Sequence, residues 1–291
     1  MKKWQYWTLG IVGLLCLGGI FGVVQHQRTQ HYWHTHTPTV FVHGWRGGAH
    51  STDQMITAAE NAGAAHKALT VRIGPRGQLT YSGYWQAKRR NPIIQVVFTN
   101  NQAGEVQYTR WLMKLMQDLK QRYQIKQINL VGHSMGAYAV VAYAMKASNQ
   151  TAFPRLNKLV AIAGPFNGII GHQVGPHPND GTTWTDRPHQ NHLLANGRPA
   201  TAHPEYKRLV KMRHRFPSQT QVLNIYGNLK DGSASDGVVT LVSAKSLKYL
   251  VADQAASYHS KAAYGTSAAH SQLHENNPVV DHALLTFLWD K

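Results

Sequence analysis

A serine flanked by glycines, Gly132-His133-Ser134-Met135-Gly136, is the arrangement in this chain best suited to covalent chemistry. A serine hydroxyl is a weak nucleophile. It needs a base to take its proton and a donor to receive the charge that forms on an attacked carbonyl. A G-x-S-x-G pentapeptide helps with both when it follows a strand directly and opens a helix. Here the strand-like run Ile128-Asn129-Leu130-Val131 precedes it and the helix-like run AYAVVAYAM follows. Glycine leaves no side chain where strand and helix converge and permits a strained turn. That turn would project the Ser134 hydroxyl and place the Met135 N–H at a helix N-terminus, a natural seat for negative charge.

The elements that must hold this turn are legible in the spacing of apolar residues. Strands are predicted at Thr39–Val42 and at residues 68–73, 93–99, 127–131, 158–163 and 221–226, with a last one over Ser257–Tyr264. Helical spacing predicts helices over residues 51–65, Glu105–Tyr123, 137–147, 205–215, 242–250 and 279–289. Strands alternating with helices imply an α/β fold, a mostly parallel sheet covered on both faces. No internal repeat is evident.

At GHSMG the chain resembles the lipase and esterase form of the α/β-hydrolase superfamily. Upstream, FVHGWRGG resembles that superfamily's HG motif after an early central strand. The resemblance implies a second oxyanion donor at the Trp45 N–H, beside that of Met135, and a structural rather than basic role for His43. It also implies the order serine, acid, histidine along the chain. Two aspartates, Asp231 and Asp236, follow the strand QVLNIYG, and Ser235-Asp236-Gly237-Val238-Val239 resembles the SDG-V-V form of many lipases, so Asp236 is preferred. His259, His270 and His274 are the candidate bases. HSQLHENNPVV resembles the H-x-x-L form of small bacterial lipases, which selects His270. Together with IAGPFNG, these segments make the domain from about residue 38 resemble DUF915, a family of membrane-anchored bacterial cell-surface hydrolases.

Between residues 165 and 203 periodicity disappears and Gly, Pro, His and Asn dominate. A segment of that length inside a compact domain is expected to be a functional insertion, here a cap over Ser134. Phe166, Trp184, Leu193 and Leu194 are its apolar residues most suited to line an acyl pocket.

The chain has 291 residues, 30 Lys plus Arg against 13 Asp plus Glu, and a formal net charge of +17. Such a field attracts anionic lipid or wall polymer. Its densest basic clusters, Lys88-Arg89-Arg90 and Lys207-Arg208, carry no nucleic-acid-binding signature. A single cysteine, Cys16, excludes intramolecular disulfides, and an extracellular protein without them fits a Gram-positive bacterium.

Residues 8–24 are apolar after Thr8, preceded by Lys2-Lys3 and by Trp4, Tyr6 and Trp7. With no A-x-A site after Val24, residues 1–24 are expected to be an uncleaved anchor with the domain outside; a cleaved signal is the alternative. Leu14-Leu15 before Cys16 disfavours lipidation. Residues 25–37 hold four histidines, and His34-Thr35-His36 has no third ligand at defined spacing, so a solvated polar stalk is expected instead of a metal site.

The expected activity is ester hydrolysis through Ser134, Asp236 and His270, on a small-molecule or lipid-like ester, with no metal or organic cofactor. A peptidase or amidase on the same scaffold, and a surface-binding protein that has lost catalysis, are the alternatives.

Overall fold

The computed structural model describes residues 31–147, 150–170 and 185–291. The anchor expected over residues 1–24 and the expected pocket residue Trp184 lie outside the described residues.

The chain builds one eight-stranded sheet. In chain order its elements are β1 (Thr39–Val42), α1 (His50–Asn61), β2 (His66–Ile73), β3 (Leu79–Gly83), β4 (Pro92–Phe98), α2 (Glu105–Tyr123), β5 (Gln127–His133) and α3 (Met135–Ala147). There follow β6 (Arg155–Ile162), α4 (Pro204–Val210), β7 (Gln221–Asn228), α5 (Leu241–Lys245), α6 (Leu247–Val251), β8 (Ser257–Tyr264) and α7 (Pro278–Trp289). Spatially the strands run β3-β2-β4-β1-β5-β6-β7-β8, all parallel except β3, which returns antiparallel along β2. The α/β expectation and the mostly parallel sheet hold.

Strand residues alternate between two cores, because successive side chains leave a strand on opposite faces. Val40, Ile94, Leu130 and Leu159 join one core with Leu112 and Leu115 of α2 and Val140 of α3. Phe41, Ile93, Val131 and Val160 join the other with Ile56 of α1 and Leu284 and Leu288 of α7. Both faces of the central strands are buried, which is why their sequences read as continuous apolar runs rather than alternating ones.

Several boundaries differ from the sequence reading. β3 has no counterpart in it: Leu-Thr-Tyr-Ser-Gly is an edge strand, half-exposed, and lacks an apolar signature. The helix expected over 205–215 stops at Val210 and is followed by a short 3-10 turn, Arg213–Arg215. The helix expected over 242–250 is two short ones that meet at Ser246, whose hydroxyl donates to Ser243 O at 2.7 Å.

Residues 31–37, part of the expected polar stalk, are mostly exposed and are hydrogen-bonded along the domain. Asn91, fully buried, accepts from Thr35 N at Oδ1 (3.0 Å) and donates from Nδ2 to Trp33 O and Ala64 O, both at 2.7 Å. Trp33 N donates to Trp289 O at 2.7 Å, and Arg90 donates to Tyr32 O at 3.0 Å. The physical reason is backbone pairing: an extended segment with free N–H and C=O groups finds partners in one buried amide side chain and a helix end.

Candidate active site

Parallel topology brings the C-terminal ends of β1, β5, β7 and β8 to one edge of the sheet. Each end carries a different part of the site, as loops at strand ends do in open α/β sheets. Ser134 follows β5 with φ of 55°, a left-handed backbone that non-glycine residues rarely adopt. Helix α3 starts at once: Ala137 N and Tyr138 N both donate to Ser134 O. The turn is possible because its neighbours are bare. A Cβ on Gly132 would lie 2.5 Å from Gly136 O, and one on Gly136 would lie 2.5 Å from Val42 O.

His270 Nε2 lies 2.9 Å from Ser134 Oγ, and His270 Nδ1 lies 2.9 Å from Asp236 Oδ2. Asp236 is 2% exposed. Its other oxygen, Oδ1, accepts from Val238 N at 2.9 Å and Val239 N at 2.6 Å. A carboxylate so fixed demands a donor at Oδ2, so the His270 proton sits on Nδ1 and Nε2 is left to face the serine hydroxyl. The loop carrying His270 is tied in turn: His270 N donates to Asp236 O at 2.9 Å, and His133 Nε2 donates to His270 O at 3.1 Å. The structure thus brings Ser134, Asp236 and His270 into one hydrogen-bonded chain. Asp231, by contrast, sits exposed in a turn accepting from Ser233 N, and His259 is exposed on β8. His274 is buried with its ring edge-on to His133, centroids 4.4 Å apart.

His43 faces away from this chain. Its Nε2 accepts from Phe98 N at 3.0 Å, so its proton is on Nδ1, which donates to Gly44 O at 2.7 Å. Burial holds its pKa down at about 4. Burial also drives His133 well below the ordinary histidine value, with His270 and His274 adding to the effect. Both rings are therefore neutral props near neutral pH.

A cavity of about 280 Å³ opens at Ser134 and His270. Trp45, Met135, Tyr138, Pro165, Ile169 and Val238 give it apolar walls, and Glu105 and Glu205 also border it. Arg208 donates to Glu105 Oε1 at 2.6 Å, and Tyr138 OH donates to Glu205 O at 2.8 Å. The sequence reading missed these two glutamates. Each stands in the first turn of a helix, where an acid is already accounted for by the helix dipole.

Of the apolar residues expected to line an acyl pocket, Phe166 is fully buried in the core and does not border the cavity. Leu193 and Leu194 do not border it either, and Leu194 is 43% exposed. The physical reason is that the described parts of the 165–203 excursion fold back on the acid loop, the turn between β7 and α5 that carries Asp236. Ile170 N donates to Val238 O at 2.7 Å, Asp186 N donates to Ile169 O at 2.9 Å, and the hydroxyl of Thr240 donates to Asp186. Pro165 and Ile169 are the residues of the excursion that reach the cavity among those described. Among the described residues no cluster of His, Cys, Asp or Glu could hold a metal ion.

The fold is shared with proteins of known structure. A Listeria innocua protein is 29% identical with a TM-score of 0.72, the match covering 87% of this chain and 93% of that one. A candidate cell surface hydrolase of Lactobacillus plantarum WCFS1 is 21% identical with a TM-score of 0.65, covering 87% and 89%. The monoacylglycerol lipase of Paleococcus ferrophilus is 13% identical with a TM-score of 0.50, covering 86% and 93%. The last two likenesses speak for fold alone. No curated protein matches the chain in sequence. The family described as alpha/beta hydrolase of unknown function, DUF915, matches residues 26–291, and the chain belongs to it.

Proposed function

We propose that this α/β hydrolase cleaves carboxylic esters through an acyl-enzyme on Ser134. The observation that carries the reading is the chain Ser134 Oγ–His270 Nε2 and His270 Nδ1–Asp236 Oδ2, each link 2.9 Å, ending at a buried carboxylate and bordering a cavity with mostly apolar walls. His270 takes the Ser134 proton as Oγ attacks the carbonyl carbon. It then gives that proton to the departing alcohol, and repeats the cycle with water to release the acid. Asp236 holds the ring in the required tautomer and stabilises its cation. The Met135 N–H at the start of α3 and the Trp45 N–H, on a residue that borders the cavity, serve the oxyanion, each worth about 3 kcal/mol of barrier.

The site's place on the sheet bears on location. Among the described residues no helix is long and apolar enough to cross a membrane. With residues 1–24 as the anchor, the chain enters the domain beside Asn91, before β4 begins, whereas Ser134 follows the far end of β5. The seven residues of β5 separate those edges by roughly 23 Å at 3.3 Å per residue. The catalytic mouth therefore lies at the edge of the sheet opposite the one where residues 31–37 join the domain, a placement that suits substrates of the outer envelope. There the +17 charge favours anionic wall polymer or lipid.

The test is to react full-length protein in detergent with a fluorophosphonate and to assay p-nitrophenyl butyrate, beside Ser134→Ala. Labelling at Ser134 and ester turnover lost in the variant support the reading. Equal labelling of the variant, or no turnover by the wild type, rejects it.

A further inference from the structure

The base lies on an irregular segment. Between β8 and α7 the chain has only a short 3-10 turn, Thr266–Ala268, and His270 falls just beyond it. A catalytic imidazole must nevertheless keep its place to a fraction of an ångström. The His270 side chain meets Ser134 and Asp236, and its N–H meets Asp236 O. All but the serine contact therefore tie the base to the acid loop. The remaining backbone tie is different in kind. His133, the last residue of β5 and the one before the nucleophile, donates from Nε2 to His270 O at 3.1 Å. The two rings also lie against one another, centroids 4.9 Å apart at 48°.

We propose that His133 is a positioning residue that fixes the His270 loop to the nucleophile's own strand, so that base and nucleophile keep their registry as one unit. The proposal rests on the ester-hydrolase reading above. Three features suit His133 to this task. It is 4% exposed, so water does not compete for its donor. Its ring is also braced by His274, edge-on at 4.4 Å, from the same loop as the base. It is also neutral, as burial among His270, His274 and His43 requires. Neutrality matters because His270 becomes a cation during turnover, and a second imidazolium against its ring would oppose that charge. The titratable groups around the His133 and His270 rings are His43, His274 and Asp236, with Glu275 and His50 acting on His274. The carboxylates here face other rings, Asp236 at His270 Nδ1 (2.9 Å) and Glu275 at His274 Nδ1 (3.9 Å), while His133 Nε2 meets a carbonyl oxygen, to which it can only donate.

The experiment compares His133→Phe, which keeps a planar ring and loses the donor, with His133→Gln, whose amide N–H can reach the same carbonyl. Full-length protein is assayed on p-nitrophenyl butyrate. The expected result is a fall of about ten- to a hundredfold in kcat for H133F with KM within about twofold, and recovery of most of that loss in H133Q. Unchanged kcat in H133F overturns the proposal, as does an H133Q as slow as H133F, because packing alone would then explain the residue. A thermal midpoint for each variant separates misfolding from mispositioning. The wild type supplies a measurement that needs no variant: nitrogen-labelled histidine NMR should show His133 protonated at Nε2 and protected from exchange. A proton on Nδ1 would also overturn the assignment. Wild-type turnover and its loss in Ser134→Ala test the underlying reading separately, so its failure is not mistaken for the failure of this one.

Discussion

Gly44 lies hard against Ser134: a Cβ on Gly44 would fall 2.8 Å from Ser134 Cβ, 3.3 Å from Ser134 Oγ and 3.1 Å from His133 O. Two loops from adjacent strands, β1 and β5, thus share the space of one side chain at the point of chemistry. Gly44 is held there by its carbonyl, which accepts from His43 Nδ1 at 2.7 Å and from Tyr108 OH at 3.4 Å. The neighbouring Trp45 borders the cavity as a consequence.

Gly44→Ala is therefore expected to damage activity more than folding. The new methyl group must displace either the Ser134 side chain or the His43–Gly44 loop, since the contacts are backbone or short side-chain atoms that cannot swing aside. Overpacking of this kind costs about 1–3 kcal/mol of stability, while a shift of about 1 Å at a nucleophile costs on the order of a hundredfold in rate. Ester turnover and a urea midpoint, measured on the same preparation, check both numbers.

Asp236→Asn should fold and fail. Val238 N and Val239 N both point at Oδ1, so the amide oxygen of an asparagine must occupy that position. Its NH2 group then faces His270 Nδ1 and can only donate. The His270 proton is forced to Nε2, where it blocks transfer from Ser134. A loss of roughly 10³–10⁴ in kcat is expected with little change in KM. A D236N enzyme within about tenfold of wild type would show that Asp236 does not set the tautomer.

Stability should fall with acid between pH 6.5 and about 4. The folded chain holds His43 at about 4 against an ordinary value of 6.5, because burial penalises its cation. In that window the unfolded chain binds a proton that the folded chain refuses, so stability is full above 6.5 and is lost as pH drops toward 4. His43 alone contributes about 3 kcal/mol to this slope, and His133 acts in the same direction. Urea midpoints at intervals across that range should decline steadily. Asp281, whose carboxyl burial raises to about 6, adds stability as pH falls over part of the same window, so the slope is read in Asp281→Asn, where a flat profile would mean that both rings accept protons in the fold.

Asn91→Ala should release residues 31–37 without touching catalysis. The substitution removes the donor to Trp33 O and Ala64 O and the acceptor for Thr35 N, and it puts alanine at a φ of 42°. A loss of about 2–4 kcal/mol is expected. Faster proteolysis within residues 31–37, with kcat on p-nitrophenyl butyrate unchanged, is the expected outcome. Altered kcat would show that the two edges of the sheet communicate.

Much of this architecture is written locally. The strand before Ser134 and the helix after it are contiguous, and the glycines that permit the turn lie within two residues of the nucleophile, so GHSMG carries its own context. The central strands are legible because burial on both faces demands unbroken apolar runs. Motif resemblance and chain order single out Asp236 and His270, and the fold brings them together with Ser134. The cavity is not legible in that way. Phe166 reads as a pocket residue and is core; Glu105 and Glu205 read as helix-start acids and border the cavity. The stretch 31–37 reads as solvated stalk and is bound by Asn91. In each case the deciding contact joins segments far apart in the chain, and a side chain's own type and spacing do not specify which distant surface packs against it. Local periodicity determines which face of an element is apolar; only the packing of α2, α4 and the acid loop around α3 decides which residues are left to border the space beside Ser134.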